Sequence, residues 1–269
     1  MQVLGIAGPG ARTLCDRVAP HLDGRVAVVE RADGADGPQA GDGSPEGVAA
    51  AYRVDDDGAW SARGSDRGLD DVLDDLAATY DHALVVGFPE AAVPTVALGD
   101  ADPERVALSA EAVADIDTET VLDAVTDADP HVTLETLVEQ VKASPRAHRA
   151  GAIATFTGRV RAKDGEEDPR TLELTFEKYE GVAEDRFRTI ESELMEREGV
   201  EEVVMFHRTG TLEAGEDIVF VVVLAGHRAE AFETVSDGID RLKDEVPIFK
   251  RETTVEEDFW VHDRDSSGA

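Results

Sequence analysis

The stretch Leu242–Glu252, LKDEVPIFKRE, carries two lysines, Lys243 and Lys250, that are seven positions apart. The pattern of the chain predicts a helix over residues 228–245 and a last strand over residues 248–255. Lys243 therefore lies near the end of a helix, and Lys250 lies in the strand that follows. Because only six residues join the two lysines, they can converge on one pocket. We take this tract as the centre of an α+β unit.

Lysine is scarce elsewhere in the chain. Only five of the 26 basic residues are lysines, and the first 141 residues contain none. A lysine can lose its proton and act as an amine, whereas an arginine stays charged. Lys243 and Lys250 are therefore candidates for catalytic chemistry.

The charge of the chain limits its partners. The chain has 59 acidic residues and a formal net charge of -33 at pH 7, and the acidic residues are scattered through both halves. Two interpretations stay open, a protein adapted to a salt-rich cytoplasm and an acidic protein of an ordinary cell. In both cases we expect no general nucleic-acid binding, because a phosphate backbone needs a basic face. A localised cationic pocket for a small anion remains compatible with this charge.

The sequence carries no membrane or disulfide signal. No run of 18 apolar residues exists, and the N-terminus lacks the basic region and cleavage site of a signal peptide. Cys15 is the single cysteine, so no internal disulfide is possible. We therefore expect a cytoplasmic protein without a membrane partner.

The order of the predicted elements indicates two domains. Residues 1–100 begin with a strand, a glycine turn, a helix and a second strand, which is typical of an α/β domain. Within this domain, residues 49–63 alternate around a DDDG turn and predict a hairpin. Residues 101–131 are expected to form an acidic connector with a short helix. Residues 132–269 mix helices and strands without strict alternation, which predicts an α+β domain.

A glycine loop follows the first strand, where a phosphate-binding loop would lie. Its candidate residues are Gly5, Gly8, Gly10, Arg12 and Thr13. The phosphate-binding motif requires a lysine directly after its last glycine, followed by serine or threonine, and this chain has Ala11 at the lysine position. Two interpretations stay open, a weakened nucleotide site that uses Arg12 and a structural turn between strand and helix.

Residues 1–100 resemble the MobB family, P-loop accessory proteins of molybdenum cofactor synthesis that bind guanine nucleotides. The resemblance rests on the motifs GIAGPGARTL, VAVVE and DHALVVGFP. It implies a P-loop-like α/β fold. Because the lysine of the motif is missing, we expect GTP or ATP to bind weakly or not at all, and we predict no cofactor and no metal.

Residues 132–263 carry a more specific set of motifs. They are GAIATFTGRVR (151–161), LTFEKYEG (174–181), FHRTGTLEAGE (206–216), AGHRAEAFE (225–233), LKDEVPIFKRE (242–252) and FWVHD (259–263). Together and in this order they resemble the large, catalytic subunit of molybdopterin synthase, the MoaE family. The resemblance implies a hammerhead-like α+β fold for the C-terminal domain.

The resemblance also implies a reaction and two partners. Two sulfurs are placed on cyclic pyranopterin monophosphate to make the dithiolene of molybdopterin. The sulfur arrives on the C-terminal Gly-Gly thiocarboxylate of a ubiquitin-like small subunit. The composition agrees, because residues 132–269 contain no cysteine and a sulfur transfer here must use imported sulfur.

The family motifs imply roles for the matching residues. Lys243 and Lys250 are the expected catalytic residues, which stabilise negative charge as sulfur attacks or transfer protons. Lys243 is also a candidate for a covalent link to the small subunit's C-terminus. The phosphate and the pterin are expected to be bound by Arg159, Val160, Arg161, His227, Arg228, Arg251 and Glu252.

Two of these expectations come from strand geometry. Arg159 and Arg161 share one strand face, and Lys250 shares a face with Glu252 while Arg251 points the other way. Glu252 then has two open interpretations, as a group that orients Lys250 and as half of a cross-strand salt bridge.

The spacing of the site residues predicts a shared site. His227 and Lys243 are expected near opposite ends of one helix, roughly 24 Å apart at a rise of 1.5 Å per residue. Since a pterin phosphate is too small to reach both, we expect a homodimer that shares its sites, with a small subunit at each end of a heterotetramer. The rival interpretation is a non-enzymatic docking or adaptor module for a ubiquitin-like protein, with a nucleotide-binding N-terminal domain. The cationic residues favour the enzyme, because docking alone does not need them.

Overall fold

The computed structural model describes residues 1–32, 49–163, 165, 169–179 and 181–255, and the backbone of residues 258–261. The chain divides into two compact units, Met1–Thr133 and Leu134–Ala269. None of the helices within the described ranges is long and apolar enough to cross a membrane.

The first unit is built on a parallel sheet. Its elements are β1 (Gln2–Ala7), α1 (Ala11–Val18), β2 (Val26–Glu30), β3 (Ala50–Val54), β4 (Trp60–Gly64), α2 (Leu69–Ala77), β5 (His82–Val86), β6 (Thr95–Leu98), β7 (Val106–Ala110) and α3 (Thr118–Asp127). Five strands pair in the order β2-β5-β1-β6-β7, every pair being parallel. β3 and β4 form a separate antiparallel hairpin.

Helices cover both faces of the parallel sheet. On one face, Leu14 of α1 and Val121 of α3 pack with Leu4 and Ile6 of β1. On the other face, Leu73 of α2 packs in a cluster with Val3 of β1 and with Ala83 and Val85 of β5. Because both faces are covered, β1 and β5 are apolar along most of their lengths rather than alternating. The predicted α/β class of this unit is confirmed.

Residues 101–131, expected to form a connector, contribute a strand and a helix to the first unit. β7 pairs with β6 at the edge of the sheet, and α3 buries Val121 and Val125, one helical turn apart. Asp117 begins α3, since its carboxylate accepts a hydrogen bond from the backbone N–H of Thr120 at 2.8 Å. The short helix expected within residues 101–131 is confirmed as α3. The edge strand β7 is mostly exposed and gave no clear hydrophobic pattern.

The second unit combines two antiparallel sheets with three helices. Its elements are α4 (Leu134–Lys142), β8 (Ala152–Arg159), β9 (Thr171–Lys178), α5 (Val182–Met195), β10 (Val200–His207), β11 (Gly210–Glu213), β12 (Asp217–Ala225), α6 (Arg228–Glu245), β13 (Ile248–Thr254) and β14 (Asp258–Val261). One sheet has the order β10-β12-β8 and the other β11-β9-β13-β14. This arrangement is α+β.

The main core of the second unit lies between the three-stranded sheet and the helices α5 and α6. Ile190 and Leu194 of α5 are fully buried where the helix packs on this sheet. Val221 of β12, in the sheet itself, is also fully buried. α6 contributes Val235 and Ile239 to the same cluster, four residues apart on one face of the helix. This face fixes α6 on the sheet and leaves the opposite face of the helix in solvent.

A smaller core supports the four-stranded sheet. Val160, Leu174, Phe176 and Leu212 are buried together in it. Leu212 belongs to β11, a short strand within the motif FHRTGTLEAGE. β11 pairs with β9, and Leu212 lies opposite Leu174. A single apolar residue among glycine, threonine and glutamate gives no alternating pattern, which explains why this strand was not predicted.

Candidate active site

α6 carries candidate site residues at both of its ends. His227 is the residue before the first helical turn and has extended backbone angles, and Arg228 is the first helical residue. Lys243 lies in the last turn of the same unbroken helix. Sixteen residues separate His227 from Lys243, which corresponds to roughly 24 Å. One copy of the chain therefore keeps these two residues apart.

β13 places Lys250 on the inner face of the four-stranded sheet. Lys250 lies directly opposite Phe176 of β9, and Glu252 lies opposite Leu174. Because opposed residues of antiparallel strands share a face, Lys250 lies on the face that contains the small core. Arg251, opposite Thr175, lies on the other face. The expected alternation of these three residues is present, and Lys250 is only partly exposed.

Glu252 contacts a threonine. Its carboxylate accepts a hydrogen bond from the Thr171 hydroxyl at 2.5 Å. Within the described ranges, no ion pair joins Glu252 to Lys250. The contact ties the first residue of β9 to β13, so Glu252 supports the strand that presents Lys250.

The segment after β8 separates Arg159 from Arg161. Arg159, the last residue of β8, holds the carboxylate of Asp217 at 3.0 Å and also donates to the carbonyl of Gly215. Val160 is buried and is bonded through its backbone N–H and carbonyl to Glu216 and Gly215, both at 2.9 Å. Arg161 is exposed beyond the end of the strand. The two arginines therefore do not share one regular strand face, because β8 ends at Arg159.

Phe176, which lies opposite Lys250 in the sheet, contacts a histidine that the sequence did not indicate as part of the site. The ring of Phe176 contacts the imidazole of His207 edge to face, with ring centroids 4.9 Å apart. Burial lowers the pKa of His207 to about 4; the hydrogen bond to the Arg208 carbonyl opposes this shift, and the positive charge of Lys178 contributes to it. His207 is therefore neutral near pH 7. Its Nδ1 lies 2.6 Å from the carbonyl oxygen of Arg208, to which it donates.

Three cations and one histidine form what we call the cationic set: Arg228, Lys243, Lys250 and His227. In the part of the chain that the structure describes, none of the four makes a side-chain hydrogen bond or ion pair. Many other cations form ion pairs with carboxylates. They include Arg12, Lys142, Lys178, Arg186, Arg188, Arg197 and Arg241. In a chain with a net charge of -33, the cationic set thus remains available to an anion.

The glycine loop of the first unit is packed against its own chain. Gly5 lies within β1, where a Cβ atom would come within 2.2 Å of the Thr95 hydroxyl. Gly8 and Gly10 have positive φ angles of 101° and 84°. A Cβ on Gly8 would lie 2.0 Å from the Leu98 carbonyl oxygen, and one on Gly10 would lie 2.7 Å from Val113. Close packing and backbone conformation therefore account for these glycines without a ligand.

Arg12, the candidate phosphate ligand of this loop, is held by two carboxylates. It contacts Glu30 at 2.5 Å and Asp16 at 2.9 Å. These contacts raise the pKa of Arg12, that with Glu30 having the largest effect. Thr13 is exposed on α1. The positive charge that a phosphate would need is already neutralised.

Comparisons with known proteins identify the family. The model of the MoaE protein family matches residues 128–245. A probable molybdopterin synthase from Haloferax volcanii is 59% identical over 265 residues, which cover 98% of this chain and 100% of that protein. The chain belongs to the molybdopterin synthase family. It is thus an enzyme of molybdenum cofactor biosynthesis, and the predicted catalytic-subunit family is confirmed.

Other relatives match the second half of the chain. The catalytic subunit of molybdopterin synthase from Escherichia coli is 40% identical over 116 residues, which cover 43% of this chain and 76% of that protein. The subunit from Pyrococcus abyssi is 36% identical over 124 residues, covering 46% of this chain and 82% of that protein. The Haloferax relative fits a salt-adapted origin. The resemblance of residues 1–100 to the MobB family stays a prediction.

Proposed function

We propose that this molybdopterin synthase chain transfers sulfur from the thiocarboxylated C-terminus of a ubiquitin-like small subunit to cyclic pyranopterin monophosphate. The observation that carries the proposal is the cationic set, which is unpaired within the described ranges of an acid-rich chain. A substrate phosphate supplies the negative charge that these side chains lack. Cys15 is buried in the first unit and is the only cysteine, so the sulfur comes from a partner.

The residues divide by role. His227 and Arg228 bind the phosphate and the pterin, and Arg161 assists from the end of β8. Lys243 and Lys250 stabilise the negative charge that develops as sulfur attacks, or donate and accept protons there. Phe176, opposite Lys250 in the sheet, keeps water from one side of this lysine, which strengthens its interaction with an anion.

The direct test mixes the purified chain with the thiocarboxylated small subunit and the pterin precursor, and measures dithiolene formation. The matched control is the same small subunit with an ordinary carboxylate, which has no sulfur to give. We expect product only with the thiocarboxylate. Binding of the small subunit without any dithiolene would instead favour the non-enzymatic docking module.

We propose further that each active site is shared between two copies of the chain. Lys243 and Lys250 come from one copy, and His227 and Arg228 come from the other, because roughly 24 Å separates the ends of α6. A two-fold dimer creates two such sites, since the same surface faces itself. A small subunit at each site completes a heterotetramer.

Subunit complementation tests the shared site. Inactive Lys243→Ala and inactive Arg228→Ala chains are mixed under conditions in which subunits exchange. Mixed dimers then contain one site with both defects and one intact site, so activity should return. The control mixes two Lys243→Ala preparations and should stay inactive. Exchange without recovered activity, or full activity of a monomer, would contradict the proposal.

A further inference from the structure

Arg161 lies in the connection between β8 and β9, and backbone hydrogen bonds hold the chain on both sides of it. The N–H of Val160 donates to the carbonyl of Glu216, and the N–H of Gly215 donates to the carbonyl of Val160, both at 2.9 Å. After Arg161, the carbonyl of Ala162 accepts a hydrogen bond from the first residue of β9 at 2.9 Å. Arg161 is exposed, but its backbone lies between two fastened residues.

The pairing of β8 with β12 becomes irregular just before this connection. The register of the two strands shifts between Asp217 and Val219, as in a β-bulge, and Asp217 lies opposite Arg159 at the end of β8. Bulges are common beside active sites, where they redirect a side chain or end the pairing of two strands. Because regular pairing ends at Arg159, other contacts must fix the direction in which the chain continues to Arg161.

The guanidinium of Arg159 supplies contacts of this kind. Its Nε lies 3.0 Å from a carboxylate oxygen of Asp217, and its Nη2 donates to the carbonyl of Gly215. One side chain thus ties the end of β8 both to the first residue of β12 and to the segment that leads into β12. A guanidinium is planar and rigid, so two contacts also fix its orientation. The charge of Arg159 is therefore directed at the protein.

The fold itself does not depend on this ion pair. The side chains of Arg159 and Asp217 are 63% and 39% exposed, and exposed ion pairs contribute little to stability because water screens them. Val160 is only 2% exposed and belongs to the small core of the four-stranded sheet, which anchors the segment independently. Loss of the ion pair is therefore expected to change the direction of Arg161 without unfolding the second unit.

We propose that Asp217 and Arg159 are positioning residues, which act through Arg161 and do not touch the substrate. The inference rests on the proposed function, in which Arg161 assists in binding the substrate from the end of β8. A binding group contributes fully only when it is held within about 0.5 Å of its productive position. An arginine beyond the end of a strand reaches this precision when the residues before it are fixed, and Asp217 fixes them through Arg159.

Equilibrium binding of the pterin precursor tests this proposal. Isothermal titration calorimetry measures the Kd of cyclic pyranopterin monophosphate for the full-length chain without the small subunit, so that no sulfur is transferred. Asp217→Asn removes the charge and keeps the shape of the side chain, whereas Asp217→Glu keeps the charge. The matched control is Asp237→Asn, because Asp237 is 45% exposed and pairs with Arg197 at 2.7 Å. Arg161→Ala removes the residue through which Asp217 acts.

We expect Asp217→Asn to raise this Kd about tenfold, because a displaced Arg161 makes a weaker charge-assisted hydrogen bond to the phosphate. Asp217→Glu and the control Asp237→Asn should stay within about twofold of the parent chain. In an Arg161→Ala background, Asp217→Asn should raise the Kd no further, since two residues that act as one unit are not additive. The midpoint of thermal unfolding should stay close to that of the parent chain in each variant of Asp217.

Several results would overturn the proposal. An equal effect of Asp217→Asn with and without Arg161 would show that Asp217 acts independently of this arginine. A Kd like that of the parent chain in Asp217→Asn or in Arg161→Ala, or no binding of the precursor by the parent chain, would also contradict it. Failure of the proposed function gives a different result: the parent chain would bind the precursor but form no dithiolene after the thiocarboxylated small subunit is added.

Discussion

The glycine loop of the first unit and the cationic set of the second use positive charge in opposite ways. Arg12 of the loop is held by Asp16 and Glu30, and its glycines pack against β6 and the segment before α3. Lys243 and Lys250 make no ion pair with any residue that the structure describes. Both regions lie in the same acid-rich chain, so the background charge alone does not explain the difference.

We interpret this difference as one between a structural cation, Arg12, and the proposed functional cations Lys243 and Lys250. In a chain with 59 acidic residues, a cation without a carboxylate partner needs a reason to remain unpaired. A motif that resembles a ligand site but whose charge is already neutralised needs no ligand. We therefore use the absence of an ion pair within the described residues, together with the family motif, to choose Lys243 and Lys250 as the residues to test.

The largest effect is expected from removal of the two lysines. Lys243→Ala or Lys250→Ala should lower the rate of dithiolene formation by roughly 10²–10³, the usual loss when one preorganised charge partner is removed. The matched control is Lys142→Ala, which removes an exposed lysine that pairs with Glu139 at 2.6 Å. Steady-state rates with the thiocarboxylated small subunit measure the effect.

A second substitution at Lys250 distinguishes between the two roles proposed for this lysine. Lys250→Arg keeps the positive charge but cannot lose its proton. Activity close to that of the parent chain would assign Lys250 to charge stabilisation, and loss of activity would assign it to proton transfer. Near-normal turnover in both alanine variants would contradict the proposed mechanism.

Much of the fold was predictable, because its longer elements carry strong patterns. The helix expected over residues 228–245 is α6 with the same limits. The strands β7 and β11 were not predicted, because β7 is an exposed edge strand and β11 has one buried residue, Leu212. Short elements of this kind depend on neighbours that are distant in the sequence.

The site was predictable only in part for the same reason. The scarcity of lysine and the family motifs indicated Lys243 and Lys250. The pairing of Arg159 with Asp217 depends on the register of β8 and β12, which joins residues far apart in the sequence. The burial of His207 beside Phe176 likewise arises from packing between β10 and β9. No local pattern contains this information.

The next largest effect concerns the pH dependence of folding, to which the partly buried Glu191 and the buried His207 of the second unit contribute opposite slopes. Burial raises the pKa of Glu191 from 4.5 to about 7, although a hydrogen bond from the Met205 N–H opposes this. The folded chain therefore holds more protons than the unfolded chain between these values, and Glu191 makes stability fall as pH rises. Burial lowers the pKa of His207 from 6.5 to about 4, so His207 makes stability rise with pH in this range.

Glu191→Gln should separate the two opposed slopes. The free energy of unfolding of this variant should rise between pH 4.5 and 6.5 by at most about 3 kcal/mol, because only the slope from His207 remains. In the parent chain the slopes from Glu191 and His207 oppose each other, so its free energy of unfolding should change less over this range. Near pH 8 the variant should exceed the parent chain in stability, since the partly buried Glu191 carboxylate no longer has to be charged. Denaturant unfolding in a Trp60→Phe background, followed by the fluorescence of Trp260, measures this in the second unit. Identical pH profiles for variant and parent chain would exclude Glu191 as the controlling group.

The next prediction tests whether the glycine loop of the first unit binds a nucleotide. We expect GTP and ATP with magnesium to show no measurable heat of binding to the full-length chain, because Arg12 is already paired and no lysine follows Gly10. Isothermal titration calorimetry measures this, with a chain that contains Ala11→Lys as the comparison. Micromolar binding by the parent chain would restore a nucleotide role for the first unit.

The smallest effect is expected from removal of Arg12 itself. Arg12 is exposed, and exposed ion pairs contribute little to stability. Arg12→Ala should therefore leave the rate of dithiolene formation within about twofold of that of the parent chain. Arg228→Ala is the matched substitution in the cationic set and should reduce the rate severely, since no described carboxylate pairs with Arg228 and the substrate phosphate is its proposed partner. If Arg12→Ala and Arg228→Ala lower the rate equally, the pairing of a cation does not indicate its role, and the difference between the two regions has another cause.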